Sequence, residues 1–202
     1  MKAKLIAVLF AMIALTSILE GQSQDLYLAA RTNNVKLAQT LIDEKVDVNQ
    51  KDERGYTALI LATYNQSPNV AELLLKHGAD TESGDGTGRT ALMGASFQGD
   101  DKCVAILLDN GAKINGADVN GATALMYAVQ FGRKSVVKLL ISRNADPNIK
   151  DKRGFDAFYL AQQLEDLEIL GILKQSPKAE LKSPEALLPV NNPGKASLDE
   201  RD

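Results

Sequence analysis

Apolar and polar residues recur along the middle of the chain with a period of 33 residues. Residues 121–148 have the sequence GATALMYAVQFGRKSVVKLLISRNADPN, and residues 88–115 follow the same pattern without insertion or deletion. The recurring positions are a glycine at 55, 88, 121 and 154, a threonine at 57, 90 and 123, and an alanine at 62, 95, 128 and 161. A fixed period of this length is typical of stacked repeat proteins, in which each unit buries its apolar face against its neighbours.

Each repeat predicts two helices and a turn. Thr123 is placed to cap a first helix that continues to about Phe131, with apolar residues at helical spacing along its inner side. Gly132 ends this helix, and the apolar run 136–141 provides the buried face of a second one. The turn-forming sequence NADPN and a short extended excursion follow. The pattern therefore predicts two antiparallel helices and a finger-like loop in every repeat.

This pattern resembles the ankyrin repeat over residues 26 to about 173, because the glycine, threonine, alanine, paired leucines and final asparagine lie at that family's offsets. The resemblance implies an all-α solenoid of about five helix-turn-helix repeats with finger loops. After the threonine the family usually has proline and histidine, whereas this chain has apolar residues: Ala58 and Ile60, Ala91 and Met93, Ala124 and Met126. The usual histidine helps to bond adjacent fingers, so we expect these fingers to be held more by apolar packing.

The two ends of the repeat array depart from the pattern. The repeats are predicted at about 24–53, 54–86, 87–119, 120–152 and 153–173. The first lacks a finger glycine and threonine, and the fifth has Asp156 in place of the threonine, as is typical of terminal repeats that cap a solenoid. Residues 174–202 contain four of the six prolines and no periodicity, which predicts a disordered tail. Its apolar cluster at 187–190 is either a partner motif or a segment that folds back on the last repeat.

Residues 1–23 have the features of a secretory signal peptide. Two lysines precede an apolar run at 5–19, which is shorter than the roughly 20 residues that span a bilayer. Cleavage is expected after Ser23 or after Gly21, and an uncleaved anchor is the alternative. No cysteine lies near this segment, which excludes a lipoprotein. We therefore expect a bacterial periplasmic protein with no stable membrane insertion after cleavage of the leader.

The composition supports a sizeable core and offers no reactive centre. Apolar residues make up 45% of the 202 residues, and the net charge of −3 gives no reason to expect nucleic acid or an anionic membrane as a partner. His77 and Cys103 are the only histidine and cysteine, so neither a tetrahedral zinc site nor a nucleophile paired with a histidine is available. Cys103 lies at an apolar repeat position and is expected to be buried. The sequence predicts no catalytic residue, metal or cofactor.

One aspartate recurs in the fingers. The glycine-rich segment 84–88 looks like a phosphate-binding loop but lacks the lysine that such a loop needs. Its aspartate belongs to a series with the repeat period: Asp52, Asp85, Asp118 and Asp151. We expect these carboxylates to accept hydrogen bonds from the finger main chain rather than to act as a catalytic pair.

Aromatic residues cluster at the positions that face the concave side in ankyrin repeats, just before the glycine between the helices. Tyr64, Phe97 and Phe131 lie there in three consecutive repeats, although the chain has only 5% aromatic residues. The fingers add further aromatic and arginine residues, namely Tyr56, Arg89, Arg153 and Phe155. Because such residues dominate the energetics of interfaces, we predict a protein-binding stripe centred on the three rings. Packing of the rings between neighbouring first helices is the alternative.

The predicted function is that of a non-enzymatic, monomeric protein-binding module. The resemblance to exported bacterial ankyrin proteins leaves two roles open: an immunity protein that neutralises an envelope-directed toxin, or a companion of a periplasmic catalase in oxidative-stress resistance. An enzymatic or ligand-binding role is a further alternative, because a fold alone does not determine a function.

Overall fold

The computed structural model of the protein describes residues 21–179. Within that range the chain forms ten helices and no strand. The helices are α1 (21–32), α2 (Val35–Asp43), α3 (Ala58–Tyr64), α4 (Pro68–Lys76), α5 (Ala91–Gln98), α6 (Asp101–Asp109), α7 (Ala124–Gln130), α8 (Lys134–Ser142), α9 (Ala157–Gln163) and α10 (Leu167–Leu173). The predicted all-α repeat solenoid is confirmed.

The helices pack in two layers. The first helices α3, α5, α7 and α9 contact one another in sequence, and the second helices α2, α4, α6, α8 and α10 do the same. Between the layers, every first helix presents an alanine with no exposed surface: Ala29, Ala62, Ala95, Ala128 and Ala161. Small side chains at this position let the two layers approach closely. Cys103 is fully buried in α6, as its repeat position predicts.

Polar side chains fix where the helices begin. The Thr57 hydroxyl accepts the Ile60 N–H at 3.2 Å, and the Thr123 hydroxyl accepts the Met126 N–H at 3.4 Å. In the fifth repeat Asp156 takes over this cap, because its carboxylate accepts the Tyr159 N–H at 2.9 Å. A helix start needs any short side-chain acceptor, so the missing threonine does not weaken the last repeat at this point.

Two kinds of contact hold the fingers together. Ile60, Met93 and Met126 are buried, so apolar packing does replace the usual histidine. Main-chain hydrogen bonds also join each pair of adjacent fingers, however: Gly86 N–H to Arg54 O at 3.3 Å, Val119 N–H to Thr87 O at 3.1 Å, and Lys152 N–H to Asn120 O at 2.9 Å. Apolar packing and main-chain hydrogen bonds therefore both hold the fingers together.

The array has side-chain contacts at both of its described ends. Near the start, Gln22 donates to Glu44, and the buried Ser23 hydroxyl donates to the side chain of Gln50. Near the end, the carbonyl of Lys178 accepts from the Asn148 side chain, so contacts of the last repeat extend beyond residue 173. The predicted signal-peptide residues 1–20 and the tail residues 180–202 lie outside the described residues. None of the helices described between 21 and 179 is long and apolar enough to cross a membrane.

Candidate protein-binding surface

Three of the predicted rings form a continuous row across three repeats. Tyr64 ends α3, Phe97 lies in the last turn of α5, and Phe131 directly follows α7. The ring centroids of Tyr64 and Phe97 are 5.5 Å apart with tilted planes, and those of Phe97 and Phe131 are 4.3 Å apart with planes at 62°. Tilted and edge-to-face contacts of this kind are favourable for aromatic pairs. We call these three residues the aromatic row.

The aromatic row is neither fully buried nor freely exposed. Phe131 is 42% exposed, whereas Tyr64 and Phe97 are half-buried. The rings pack on one another between neighbouring repeats and also present surface to solvent. The row lies on the inner face, by which we mean the surface made by the ends of the first helices together with the fingers. This is the face that the sequence predicts to be concave.

Phe131 joins the row from a shifted position. A spacing of 33 residues aligns Tyr64 and Phe97 with Gln130, so Phe131 lies one residue further along, next to the glycine between the helices. It directly follows α7, and its ring nevertheless reaches Phe97. The repeat period alone gives no means of predicting this contact.

Three residues that sequence reasoning missed hold the row in place. Gln98 donates from its side chain to the carbonyl of Tyr64 at 2.7 Å, and Arg133 donates from Nε to the carbonyl of Phe97 at 2.9 Å. A Cβ on Gly94 would lie 3.0 Å from the Tyr64 ring, so the absence of a side chain there makes room for the ring. In the sequence, only Gly94 indicates this arrangement, because the other repeats have larger residues at the same repeat position, namely 28, 61, 127 and 160.

Two finger residues lie beside the row. Arg89 binds the buried carboxylate of Asp85 through Nε at 2.9 Å and through a terminal nitrogen at 2.8 Å. Burial alone would raise the pKa of Asp85, but hydrogen bonds from Thr87 and Arg89 outweigh it, and the pKa lies below its ordinary value. Arg89 and Tyr56 line one cleft together with Tyr64. The structure therefore brings Tyr56 and Arg89 to the row as predicted.

Arg153 and Phe155 form a separate cluster on the fifth repeat. The Arg153 guanidinium lies 4.8 Å from the centre of the Phe155 ring, and this ring stacks on Tyr159 at 4.1 Å. Arg153 also binds Asp151 at 2.8 Å. Tyr159 was not predicted, although it is an aromatic residue at the position where the other repeats have Ile60, Met93 and Met126.

The four periodic aspartates support the fingers as predicted. In each case one carboxylate oxygen accepts the main-chain N–H groups two and four residues later, at 2.8 to 3.0 Å. The second oxygen of Asp118 accepts from the Tyr127 hydroxyl at 2.8 Å, a contact that the sequence did not reveal. Burial raises the pKa of Tyr127, and the bond to Asp118 raises it further.

The repeats match the family model for ankyrin repeats in three overlapping segments, residues 26–118, 82–151 and 115–183. The chain belongs to the ankyrin-repeat family. A search of curated proteins found no significant match. Ankyrin repeats are protein–protein interaction modules and are typically non-enzymatic. The last matched segment extends ten residues past the predicted end of the domain at 173, in agreement with the contact made by Lys178.

The ankyrin domain has little reactive chemistry in its described part. No group of three or more histidine, cysteine, aspartate or glutamate side chains between residues 21 and 179 is arranged to hold a metal ion. Burial raises the pKa of the Cys103 thiol, and the neighbouring Asp100 raises it further, so this side chain stays protonated at neutral pH. His77 is an exposed residue at the end of α4.

Proposed function

We propose that the ankyrin domain binds a protein partner through its inner face, with the aromatic row at the centre of the contact. The observation that carries this proposal is the row itself. The three rings come from consecutive repeats and form two ring contacts, Phe131 remains 42% exposed, and none of the three belongs to the fully buried core, although Tyr64 packs against it. Aromatic residues arranged in this way are the usual anchors of protein interfaces.

Substitution of the row by alanine tests this function. Phe131→Ala should weaken partner binding by at least about 2 kcal/mol, the usual threshold for an interface hot spot. The triple change Tyr64→Ala, Phe97→Ala, Phe131→Ala should weaken it further while the helical circular dichroism is retained. Binding is measured by calorimetry with the partner captured from a periplasmic extract.

A matched control separates the row from general surface hydrophobicity. Leu167 is 81% exposed, begins the second helix α10 and is not part of the row, so Leu167→Ala should weaken partner binding less than Phe131→Ala does. Equal losses for Phe131→Ala and Leu167→Ala would contradict the proposal. A triple variant that unfolds would assign the rings to the core instead.

The domain is proposed to act in the bacterial periplasm after removal of a signal peptide. The contacts of Gln22 with Glu44 and of Ser23 with Gln50 favour cleavage after Gly21, because this cut keeps both residues on the first repeat. Sequencing of the exported protein should therefore give Gln22 as the first residue. A mature chain that begins at Gln24 would favour the other predicted cut, and an intact Met1 on membrane-bound protein would favour the uncleaved anchor.

Within the periplasm we propose that the domain neutralises an envelope-directed toxin as its immunity protein. A partner bound at the inner face would lose its activity if that face covered its active site. Deletion of the gene should then sensitise cells to the toxin. Sensitivity to peroxide with no effect on toxin survival would instead support the companion of a periplasmic catalase.

A further inference from the structure

A cleft of about 410 Å³ adjoins the aromatic row on its N-terminal side. Three arginines line it: Arg31 at the end of α1, Arg54 in one finger and Arg89 in the next. Tyr56 and Tyr64 provide ring surface in the same cleft, so Tyr64 belongs both to the cleft and to the aromatic row. The apolar and the basic parts of the inner face are therefore continuous.

The arginines leave positive charge available in the cleft. Arg89 is paired with Asp85, but within the described residues neither Arg31 nor Arg54 forms an ion pair. Asp52 is the one acidic residue in the lining, and one of its oxygens is occupied by two main-chain N–H groups of its own finger. Because Asp85 neutralises Arg89, the two guanidinium groups of Arg31 and Arg54 remain against the single carboxylate of Asp52, and the cleft has an excess of one positive charge.

The shape of the guanidinium group indicates which ligand chemistry fits. Its planar set of donors matches the two oxygens of a carboxylate, and such charge-assisted hydrogen bonds are roughly twice as strong as neutral ones. We propose that the cleft binds an aspartate or glutamate side chain of the protein partner while an adjacent aromatic or branched apolar residue of the partner packs on Tyr64 and Phe97. This inference rests on the proposed function and specifies the partner as one with an exposed acidic and apolar segment.

Peptide binding tests the inference directly. The probe is acetyl-Gly-Glu-Phe-Glu-Gly-amide, and its neutral counterpart has glutamine in place of both glutamates. Titration of the full-length protein, followed by NMR of the arginine Nε–H groups and of the Tyr56 and Tyr64 amides, should show binding of the acidic peptide. The neutral peptide should bind at least about tenfold more weakly, because it lacks the charge that the guanidinium groups recognise. Equal affinity of the two peptides would overturn the inference.

Two variants separate the cleft from long-range attraction. The double variant Arg31→Gln, Arg54→Gln should bind the acidic peptide at least about tenfold more weakly. Its melting curve should be nearly unchanged, because both side chains are exposed. Lys152→Gln removes a positive charge from a finger near the other end of the inner face and should change affinity less than about twofold at 0.15 M salt. Similar losses for Lys152→Gln and for the double arginine change would overturn the inference.

Partner capture keeps this inference distinguishable from the proposed function. If Phe131→Ala abolishes capture while the double arginine variant captures normally, the inner face binds a protein but the acidic anchor is wrong. If both variants capture the partner as well as the unchanged protein does, both the proposed function and the acidic anchor are wrong. Loss of capture with both variants supports the two together.

Discussion

In three of the four described fingers, one aspartate has two tasks for its two carboxylate oxygens. One oxygen always accepts main-chain N–H groups of the finger, whereas the partner of the other oxygen varies from repeat to repeat. The second oxygen of Asp85 binds Arg89, that of Asp118 binds the Tyr127 hydroxyl, and that of Asp151 binds Arg153. The invariant task stabilises the finger, and the variable task determines which side chain is positioned towards the inner face.

Asp85 should make stability depend on pH in the acid range. Its pKa is lowered in the folded protein, so the stability it contributes is present above the unfolded value of about 3.9 and is lost as pH falls below it. Asp85→Asn should cost about 1 to 2 kcal/mol at pH 7 and should flatten the fall in stability below about pH 4. Urea unfolding at a series of pH values measures both effects.

An exposed ion pair with the same shortest distance of 2.8 Å provides the control. Arg143 binds Asp109 at 2.8 Å, but the Asp109 side chain is 63% exposed. Asp109→Asn should therefore change the free energy of unfolding by less than about 1 kcal/mol. If both substitutions had the same effect, burial of Asp85 would not be the source of its contribution.

Among the elements, the fingers show the tightest main-chain approach. Gly121 has a φ of +81°, and a Cβ added there would lie 3.1 Å from Asp151 Cα and from Lys152 N in the next finger. Gly154 has nearly the same φ of +84°, but nothing lies within 4 Å of its added Cβ. The two glycines therefore separate the cost of an unusual backbone angle from the cost of a contact between fingers.

Gly121→Val should destabilise the domain by roughly 1–3 kcal/mol, and Gly154→Val should cost less. Because the first change affects a central interface of the array, unfolding followed by circular dichroism should become easier or separate into two transitions. An unchanged melting curve for Gly121→Val would show that the fingers are not aligned as described. Equal losses for the two variants would show that the close approach is unimportant.

The elements also show how far the sequence could be interpreted. The period predicted α7 from its cap at Thr123 to its end near Phe131, and the structure has Ala124–Gln130 between those two residues. It also predicted the role of the periodic aspartates, because each carboxylate binds within its own finger. Local signals of this kind depend on neighbouring residues in the chain, which a sequence displays.

Contacts between repeats were harder to predict. Phe131 reaches Phe97 from a shifted position, and Arg133 reaches back to the carbonyl of Phe97. Both contacts depend on how far each repeat is displaced and turned relative to the one before it, and a period of 33 residues contains no such information. The cleft lined by Arg31 and Arg54 was missed for the same reason, since its walls come from different repeats.

At the scale of the whole molecule, different residues of the described repeats form the buried core and the proposed binding face. The core lies between the two helix layers, and the inner face has the cleft, the aromatic row and the Arg153 cluster along it. Each repeat contacts only its neighbours, so a change on one part of this face leaves distant repeats undisturbed. The partner can therefore be examined one segment of the inner face at a time.

The bonds between adjacent fingers use main-chain atoms on both sides, from Arg54 O to Gly86 N, from Thr87 O to Val119 N, and from Asn120 O to Lys152 N. A main-chain bond does not depend on the identity of the side chain at the same residue. Mutations at these positions can thus accumulate over generations without breaking the alignment of the fingers. Natural selection is therefore free to change the side chains of the finger tips while the scaffold that carries them is inherited intact.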